Sequence, residues 1–435
     1  MQLYRQQIVE EGSGMTVEIT TLPNGLRVVT DYMSTVETVS LGAWVAVGTR
    51  HEKPELNGIS HLLEHMAFKG TRRRSARAIA EEIEAVGGQL NAYTARENTA
   101  YFAKVLKEDV PLAVDIIADI LQHATMEEDE LERERAVIIQ EIHQSHDTPD
   151  DIVFDRFQEA AYPDQAIGRP VLGEISLIES LPRETVIDFM HGQYSASRIV
   201  LAAAGKVNHD ALVKLAESVF CDLQEHDNCA QEAVIYRGGD FRESRDLEQL
   251  HIVLGLEGAS YSDPSYYALS VLSALLGGGM SSRLFQEVRE KRGLAYSIYS
   301  FSGNYEDGGI FGIYAGTGEK EVTEVISVVC DELLKVSDRI DDNELNRARA
   351  QLKANTLMAL ESTSSRCEQA ARQLQIFGRT IPIEEVIEKI EAVDAAAVKE
   401  ASAKIISSSQ TVAAIGPINS LDTFDDIAAR LNAGA

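Results

Sequence analysis

The stretch Glu130-Leu-Glu-Arg-Glu-Arg-Ala136 returns later in the chain as Glu344-Leu-Asn-Arg-Ala-Arg-Ala350, at an offset of 344 − 130 = 214 positions. Earlier segments recur in the same order, because 41–48 resembles 252–258 and the segment ending at Gly70 resembles one ending near Gly278. Short matches of this kind also arise by chance on solvated helices. The parallel order on both sides favours a duplication, so the sequence predicts two similar domains.

The two domains are expected at 1–223 and 244–435, joined by a polar, glycine-containing linker at 224–243. Strands and helices alternate in the first domain, which predicts an α+β fold built of two α/β-layered domains. Strands are predicted at 25–31, 39–47, 90–95 and 99–106, and helices from about 57 and at 75–86, 109–121 and 125–143. Thr125 and Glu128 form the pattern of a capping box that would begin the last helix.

Composition describes a globular protein, since 44% of the 435 residues are hydrophobic and 25% are charged. Forty Lys and Arg against 69 Asp and Glu leave a formal charge of −29, which argues against nucleic acid as a partner. Basic ligands stay open, as does the alternative that the acidic surface serves only solubility. The four cysteines lack CxxC spacing, and no apolar run is long enough to span a membrane. We therefore expect no membrane insertion and a cytoplasmic location.

A metal-ligand pattern lies in the segment Asn57-Gly-Ile-Ser-His-Leu-Leu-Glu-His-Met-Ala-Phe68, whose apolar residues follow helical spacing. Asn57 is a plausible N-cap. His61 and His65 are one helical turn apart, so both imidazoles lie on one face and can chelate one cation. Glu64 precedes the second histidine and would take a proton from a water that the metal polarises. This order of residues matches the inverted zincin motif, although the pattern alone also arises by chance on helices.

A catalytic zinc takes three protein ligands, so a third ligand is required elsewhere in the chain. Glu134 and Glu141 are the best candidates, because seven residues correspond to two turns and place both on one face of a helix. A solvated, charged helix is the alternative interpretation for Glu134. Glu141 differs, because it follows the apolar run 137–139 and precedes Ile142, which predicts a helix that enters the core there.

The duplication supplies an internal control for these candidates. The positions equivalent to Glu134 and Glu141 are Ala348 and Asn355 at the 214 offset. At an offset of about 208, the positions equivalent to the motif residues are Leu269, Leu272 and Ser273. The second domain therefore lacks these chemical groups, as expected if one domain carries the chemistry.

At this point the chain resembles the pitrilysin-type zinc peptidases of family M16, and most closely its subfamily B of processing peptidases. The resemblance spans nearly the whole sequence. It is carried by the His61-x-x-Glu64-His65 motif with Glu141, by 87–101 and by 276–297.

The resemblance implies a duplicated M16-type fold enclosing a central cavity, with one Zn²⁺ per chain held by His61, His65 and Glu141. Glu64 would be the general base, and Glu134 a second acidic residue that supports the site. Arg289 and Tyr296 match the family pair that binds the substrate carbonyl; without the resemblance, they would be interpreted as a surface arginine and a core tyrosine. Asn91 and Ala92 lie where the family's edge strand pairs with an extended peptide.

The resemblance also bears on partners. Gly277-Gly-Gly279 resembles a short version of the family's glycine-rich loop, although a helix C-cap or turn is the alternative interpretation. A homodimer, as in bacterial relatives, is expected.

The function predicted is a zinc metalloendopeptidase that cleaves extended, basic presequence-like peptides. The alternative is a non-catalytic scaffold of the same fold, whose members have usually lost part of the metal motif.

Overall fold

The computed structural model describes residues 4–9, 16–223 and 231–432. The strands of this part of the chain are β1 (Tyr4–Val9), β2 (Thr16–Thr21), β3 (Arg27–Tyr32), β4 (Thr38–Val45), β5 (Gln89–Thr94), β6 (Thr99–Leu106), β7 (Ile199–Gly205), β8 (Gly239–Ser244), β9 (Leu250–Glu257), β10 (Ala295–Asn304), β11 (Gly309–Thr317) and β12 (Thr411–Gly416).

The α-helices described are α1 (Ile59–Ala67), α2 (Ala76–Ala85), α3 (Val110–His123), α4 (Glu128–His146), α5 (Pro149–Ala161), α6 (Ile175–Ser180), α7 (Arg183–Gln193), α8 (His209–Val219), α9 (Tyr266–Gly277), α10 (Val322–Asp338), α11 (Asp342–Ala359), α12 (Thr363–Phe377), α13 (Ile383–Ala392), α14 (Ala395–Ile406) and α15 (Phe424–Asn432). Single 3₁₀ turns occupy Thr49–His51, Pro54–Leu56, Lys107–Asp109, Ala166–Gly168 and Ala196–Arg198, and a π-helix spans Phe285–Glu290.

The strands form two sheets with the same core topology. The first sheet has the order β1-β2-β3-β7-β4-β6-β5 and the second the order β10-β11-β9-β12-β8. Read from β3 and from β8, the two sheets match strand for strand. In each, one parallel pair, β3/β7 or β8/β12, is followed by antiparallel pairs. The match confirms the predicted duplication and the α+β class with two α/β-layered domains.

The chain divides into two compact units, each of which takes in a helix from the opposite half of the sequence. The first unit consists of 1–143, 170–232 and 358–382, and the second of the remaining segments. Helix α12 packs on β3, β4 and β7 of the first unit, and α5 packs on β8, β9 and β12 of the second. The units therefore differ from the contiguous ranges 1–223 and 244–435 that the sequence suggests. Part of the expected linker, 224–230, lies outside the described residues.

Small side chains explain how α12 approaches the sheet of the first unit. Cys367, Ala370 and Ala371 are buried against a cluster that includes Trp44 and Ala202. The helix is also held by an ion pair that is buried on both sides. The Arg366 guanidinium donates to the two carboxylate oxygens of Asp31 at 2.6 and 3.0 Å.

The opposite face of the first sheet packs against α1, α3 and α8, whose apolar residues form one continuous core with the strands. In the second unit, Val153 and Phe157 of α5 cover Val253 and Ala413 on one face of the sheet. The other face carries α9, α10 and α14. Each unit is thus a helix–sheet–helix sandwich whose core excludes water from both faces of its central strands.

The predicted strands and helices of the first domain are confirmed, with boundaries that differ by at most three residues. The predicted capping box is wrong. Helix α4 begins at Glu128, and the Leu131 amide donates to the carbonyl oxygen of Glu127. Thr125 instead donates its backbone N–H to the carbonyl oxygen of Gly70, so it tethers the preceding loop.

The cysteines of the described residues are free thiols. Cys330 and Cys367 are buried, and Cys221 is exposed. Cys229 lies outside the described residues. None of the helices in the described part of the chain has the length and apolar character that crossing a membrane requires.

Candidate metal centre

The N-terminus of α1 is built by a glycine and a distant carboxylate. Gly58 has φ +95°, and a Cβ there would lie 2.9 Å from the Cα of Gly173, so only glycine is accommodated. The Oε2 atom of Glu52 accepts the Gly58 amide at 2.9 Å, and Oε1 accepts the Ser60 amide at 2.8 Å. Burial raises the pKa of the Glu52 carboxyl, and these backbone hydrogen bonds oppose the rise. Glu52 therefore satisfies the first amides of the helix and complements its dipole.

The expectation that Asn57 caps α1 is wrong, because Gly58 occupies the cap position. The Asn57 side-chain amide donates instead to Oε2 of Glu52 at 3.0 Å and to the carbonyl oxygen of Pro170 at 3.1 Å. Sequence reasoning missed Glu52 because it precedes the helix by several residues. An acidic residue shortly before a helix that lacks a conventional cap is the signal that would have found it.

Three predicted ligand residues converge in the first unit. The Nε2 atoms of His61 and His65 lie 3.7 and 3.6 Å from Oε2 of Glu141. The three ligand atoms all lie within 4.8 Å of one another, and this is the one such group found among the described residues. Burial, with a smaller contribution from His65, lowers the pKa of His61 to about 3, so its imidazole is neutral at neutral pH. Two imidazoles and a carboxylate are a ligand set that fits a single zinc ion.

Glu134 lies beside one of these histidines and is buried, in contrast to the solvated-helix alternative. Its Oε2 atom accepts a hydrogen bond from Nδ1 of His65 at 2.9 Å, and its Oε1 atom accepts one from Nζ of Lys69 at 2.6 Å. A proton held on Nδ1 leaves the Nε2 lone pair of His65 available for a metal. The structure thus brings Glu134 to His65, and it does not bring Glu134 among the three ligand atoms.

Glu64 lies on α1 between the two histidines. Burial raises the pKa of its carboxyl, and a hydrogen bond from Thr94 works against that rise. Oγ1 of Thr94 donates to Oε2 of Glu64 at 2.5 Å. Thr94 did not emerge from the sequence, because its contact with Glu64 depends on the packing of a strand against a helix.

The strand that carries Asn91 and Ala92 is β5, which lies at the end of the first sheet and pairs only with β6 among the described strands. Leu90 and Ala92 pack against the core that includes α1. Oδ1 of Asn91 accepts the backbone N–H of Ala92 at 2.9 Å. The strand therefore has an open edge next to the helix that bears the histidines.

Arg289 and Tyr296 belong to the second unit, and the structure brings them together. The Arg289 guanidinium lies 4.8 Å from the ring centroids of both Tyr296 and Phe285. Arg289 lies on the π-helix, a rare wide turn that is frequent at functional sites. Tyr296 is 73% exposed, so the core-tyrosine alternative does not describe it.

The glycine run near these residues ends a helix. Helix α9 ends at Gly277, and the Gly278 amide donates to the carbonyl oxygen of Ala274 at 3.1 Å, so Gly278 is the C-cap residue. A Cβ on Gly277 would lie 2.2 Å from the backbone nitrogen of Ser300. The C-cap alternative therefore describes this run, and close packing requires its first glycine.

The sequence matches two family models and several curated relatives. The family "Insulinase (Peptidase family M16)" matches residues 27–175, and "Peptidase M16 inactive domain" matches residues 180–352. An uncharacterized zinc protease of Rickettsia felis is 40% identical over 92% of this chain and 97% of its own length. The probable mitochondrial-processing peptidase subunit beta of Arabidopsis thaliana is 38% identical over 95% of this chain and 81% of its own.

A solved structure extends the likeness to the fold. The crystal structure of a protease from Helicobacter pylori matches with a TM-score of 0.85, covering 92% of this chain and 99% of that one, at 23% sequence identity. The uncharacterized zinc protease YmxG of Bacillus subtilis is 37% identical over 91% of this chain and 97% of its own length. The solved structure shows the same fold, and the two family models together with these relatives show that this chain belongs to peptidase family M16.

Proposed function

We propose that the protein is a zinc metalloendopeptidase that hydrolyses extended peptides held on the open edge of β5. The observation that carries the proposal is the convergence of His61, His65 and Glu141 on one point, with Glu64 on the same helix. The complete set favours an enzyme over a non-catalytic scaffold, whose known examples have usually lost part of the motif. Bound zinc would act as a Lewis acid and lower the pKa of a bound water toward ~7.

The residues of the chain supply the rest of the chemistry. His61 and His65 would hold the metal through nitrogen lone pairs, and the hydrogen bond to Glu134 holds His65 in the required tautomer. Glu64 accepts one proton from the water as the water oxygen bonds to the carbonyl carbon, and transfers that proton to the nitrogen as the C–N bond breaks. The products are an amine and a carboxylic acid, which then releases the second water proton to solvent as it ionises. On the resemblance, Arg289 and Tyr296 are proposed to stabilise the negative charge that develops on the carbonyl oxygen.

Strand addition is proposed as the mode of peptide binding. The backbone of β5 near Asn91 and Ala92 would pair with the backbone of the peptide. Such pairing supplies affinity through the main chain, so many sequences are accepted and pockets add only preference. The net charge of −29 motivates the further proposal that basic, presequence-like peptides are preferred.

The proposal is tested by zinc content and peptide cleavage in the wild type and in Glu64→Gln. We expect about one zinc per chain in both proteins, with cleavage by Glu64→Gln reduced to a small residual rate. Glu84→Gln is the matched control, because Glu84 is an exposed glutamate on α2, and this variant should cleave normally. Full activity in Glu64→Gln would overturn the assigned mechanism, and a wild type that neither binds zinc nor cleaves peptides would overturn the function.

The preference for basic peptides has its own test. Cleavage of an Arg-rich peptide should weaken as NaCl is raised, while cleavage of a neutral peptide of equal length should not. Equal salt dependence for both peptides would mean that the acidic net charge of the protein serves solubility and not peptide recognition. The homodimer, the enclosed cavity and the cytoplasmic location remain predictions, and sedimentation at several concentrations tests the first of them.

A further inference from the structure

We propose that Thr94 is a positioning residue that holds the Glu64 carboxylate in the orientation needed for proton transfer, an inference that rests on the proposed function. Its Oγ1 donates to Oε2 of Glu64 at 2.5 Å. Among the described residues, Oε1 of Glu64 has no hydrogen-bond donor. The bond therefore occupies one oxygen and leaves Oε1 as the atom that receives and releases the proton.

The strand geometry explains why Thr94 can reach the helix. Side chains alternate along β5, so Leu90, Ala92 and Thr94 lie on the face that packs against α1. Thr94 is the last residue of the strand and pairs with Thr99 across the hairpin. One strand thus carries both the proposed peptide-pairing edge at Ala92 and the hydroxyl that holds the base.

The turn that follows Thr94 is fixed in place by the segment after β4. The amide of Thr49 donates to the carbonyl oxygen of Ala95 at 3.2 Å, and the amide of Arg50 donates to that of Arg96 at 2.8 Å. The buried Arg50 side chain also donates to Oε1 of Glu97 at 2.6 Å. These contacts hold the hairpin turn at its two carbonyls and one side chain.

The segment after β4 also positions α1, the helix that bears Glu64. Glu52, two residues after Arg50, accepts the amides of Gly58 and Ser60 at the start of α1. A single stretch of chain, 48–58, therefore sets both the hairpin that bears Thr94 and the helix that bears Glu64. The hydrogen bond between them joins two elements whose positions are already determined, so its geometry costs little further ordering.

The experiment compares Thr94→Val, which keeps the shape and removes the donor, with Thr94→Ser, which keeps the donor. We expect Thr94→Val to lower kcat about tenfold, while KM, zinc content and melting temperature stay close to wild type. Thr94→Ser should keep kcat within about threefold of wild type. Thr99→Val is the matched control, because this hydroxyl of the same hairpin donates to the backbone of Val47; it should lower stability and leave kcat unchanged.

A double variant separates positioning from substrate binding. In a Glu64→Gln background, Thr94→Val should cause no further loss of the residual rate and no change in peptide affinity measured by titration. Unchanged kcat in Thr94→Val, or equal losses in the valine and serine variants, would overturn the role of Thr94 while leaving the peptidase in place. A wild type without zinc or cleavage would instead overturn the proposed function itself.

Discussion

The two units share one scaffold and differ in what occupies equivalent positions on it. In the first unit, α1 and α4 bring two histidines and Glu141 together. In the second unit, the positions equivalent to His61 and Glu64 are Leu269 and Leu272, which are buried in the core. The corresponding strands match in order and direction, so topology alone does not make a metal site.

Helix α11 of the second unit likewise has no carboxylates at the positions equivalent to Glu134 and Glu141 of α4. Ala348, equivalent to Glu134, is buried in the core of the second unit, and Asn355, equivalent to Glu141, is exposed. Burial of the first position is therefore a property of the scaffold. What distinguishes the first unit is that its buried carboxylate has partners in His65 and Lys69.

The largest effect is expected when His61 of the first unit is replaced by leucine, the residue at the equivalent position of the second unit. His61→Leu should abolish stoichiometric zinc binding and lower cleavage by at least about 10³-fold, because a bidentate set cannot hold a catalytic zinc firmly. Zinc content by elemental analysis and kcat/KM check this. The reciprocal Leu269→His variant should gain no zinc and should lose about 3 kcal/mol of unfolding free energy, because it buries an unpaired imidazole. Zinc binding by Leu269→His would contradict the comparison.

A smaller loss of metal affinity is expected at the equivalent position of α4. Glu134→Ala installs the residue found at 348 and removes the acceptor for Nδ1 of His65. We expect zinc affinity to fall about 10- to 100-fold in competition with a chelator. Glu132→Ala is the control, because Glu132 lies on the same helix but is exposed and bonded to Arg135. Equal zinc affinity in Glu134→Ala and wild type would remove Glu134 from the site.

A pH effect on stability is expected in the first unit from a buried histidine. Burial lowers the pKa of His51 to about 4, and its Nδ1 accepts the Gly48 amide at 3.1 Å. Since the unfolded histidine titrates near 6.5, protons bind the unfolded state first, and the contribution of His51 to stability should fall by about 3 kcal/mol as pH drops from about 6.5 to 4. Trp44, the chain's one tryptophan, is buried in β4 and reports unfolding of this unit by fluorescence.

The control for this effect is His51→Gln, whose side-chain oxygen can still accept the Gly48 amide and does not titrate. In metal-free protein, its acid destabilisation over this range should be about 3 kcal/mol smaller than that of wild type. An identical pH dependence in the two proteins would assign the acid sensitivity to other groups.

Local spacing made part of the site predictable from the sequence. His61, Glu64 and His65 lie within one helical turn, and Glu134 and Glu141 lie two turns apart on α4, so a helical period was enough to group them. Thr94 and Glu52 were not predictable in this way. Glu52 lies in the loop before α1, and Thr94 lies in the hairpin after it. The distance along the chain from either residue to its partner on α1 matches no helical or strand period, so the sequence does not reveal the contact.

Local sequence patterns also could not predict that α5 packs on the second sheet and α12 on the first. Helices α5 and α12 begin 363 − 149 = 214 positions apart, so they are equivalent members of the duplication. Each presents an apolar face to a sheet of the same topology. Only specific contacts, such as the buried pair of Arg366 with Asp31, distinguish the sheet that α12 covers.

The smallest predicted effects concern how each unit begins its equivalent helix. In the first unit, Glu52 is buried and accepts two backbone amides at the start of α1. In the second unit, Asp263 is partly exposed and accepts the amide and the hydroxyl of Ser265, the cap residue of α9. Glu52→Gln should cost about 2 kcal/mol, because one amide loses its acceptor inside the protein, whereas Asp263→Asn should cost about 0.5 kcal/mol. Urea unfolding followed by Trp44 fluorescence measures the first, and hydrogen exchange of α9 amides the second. Equal costs would mean that burial does not decide the strength of these caps.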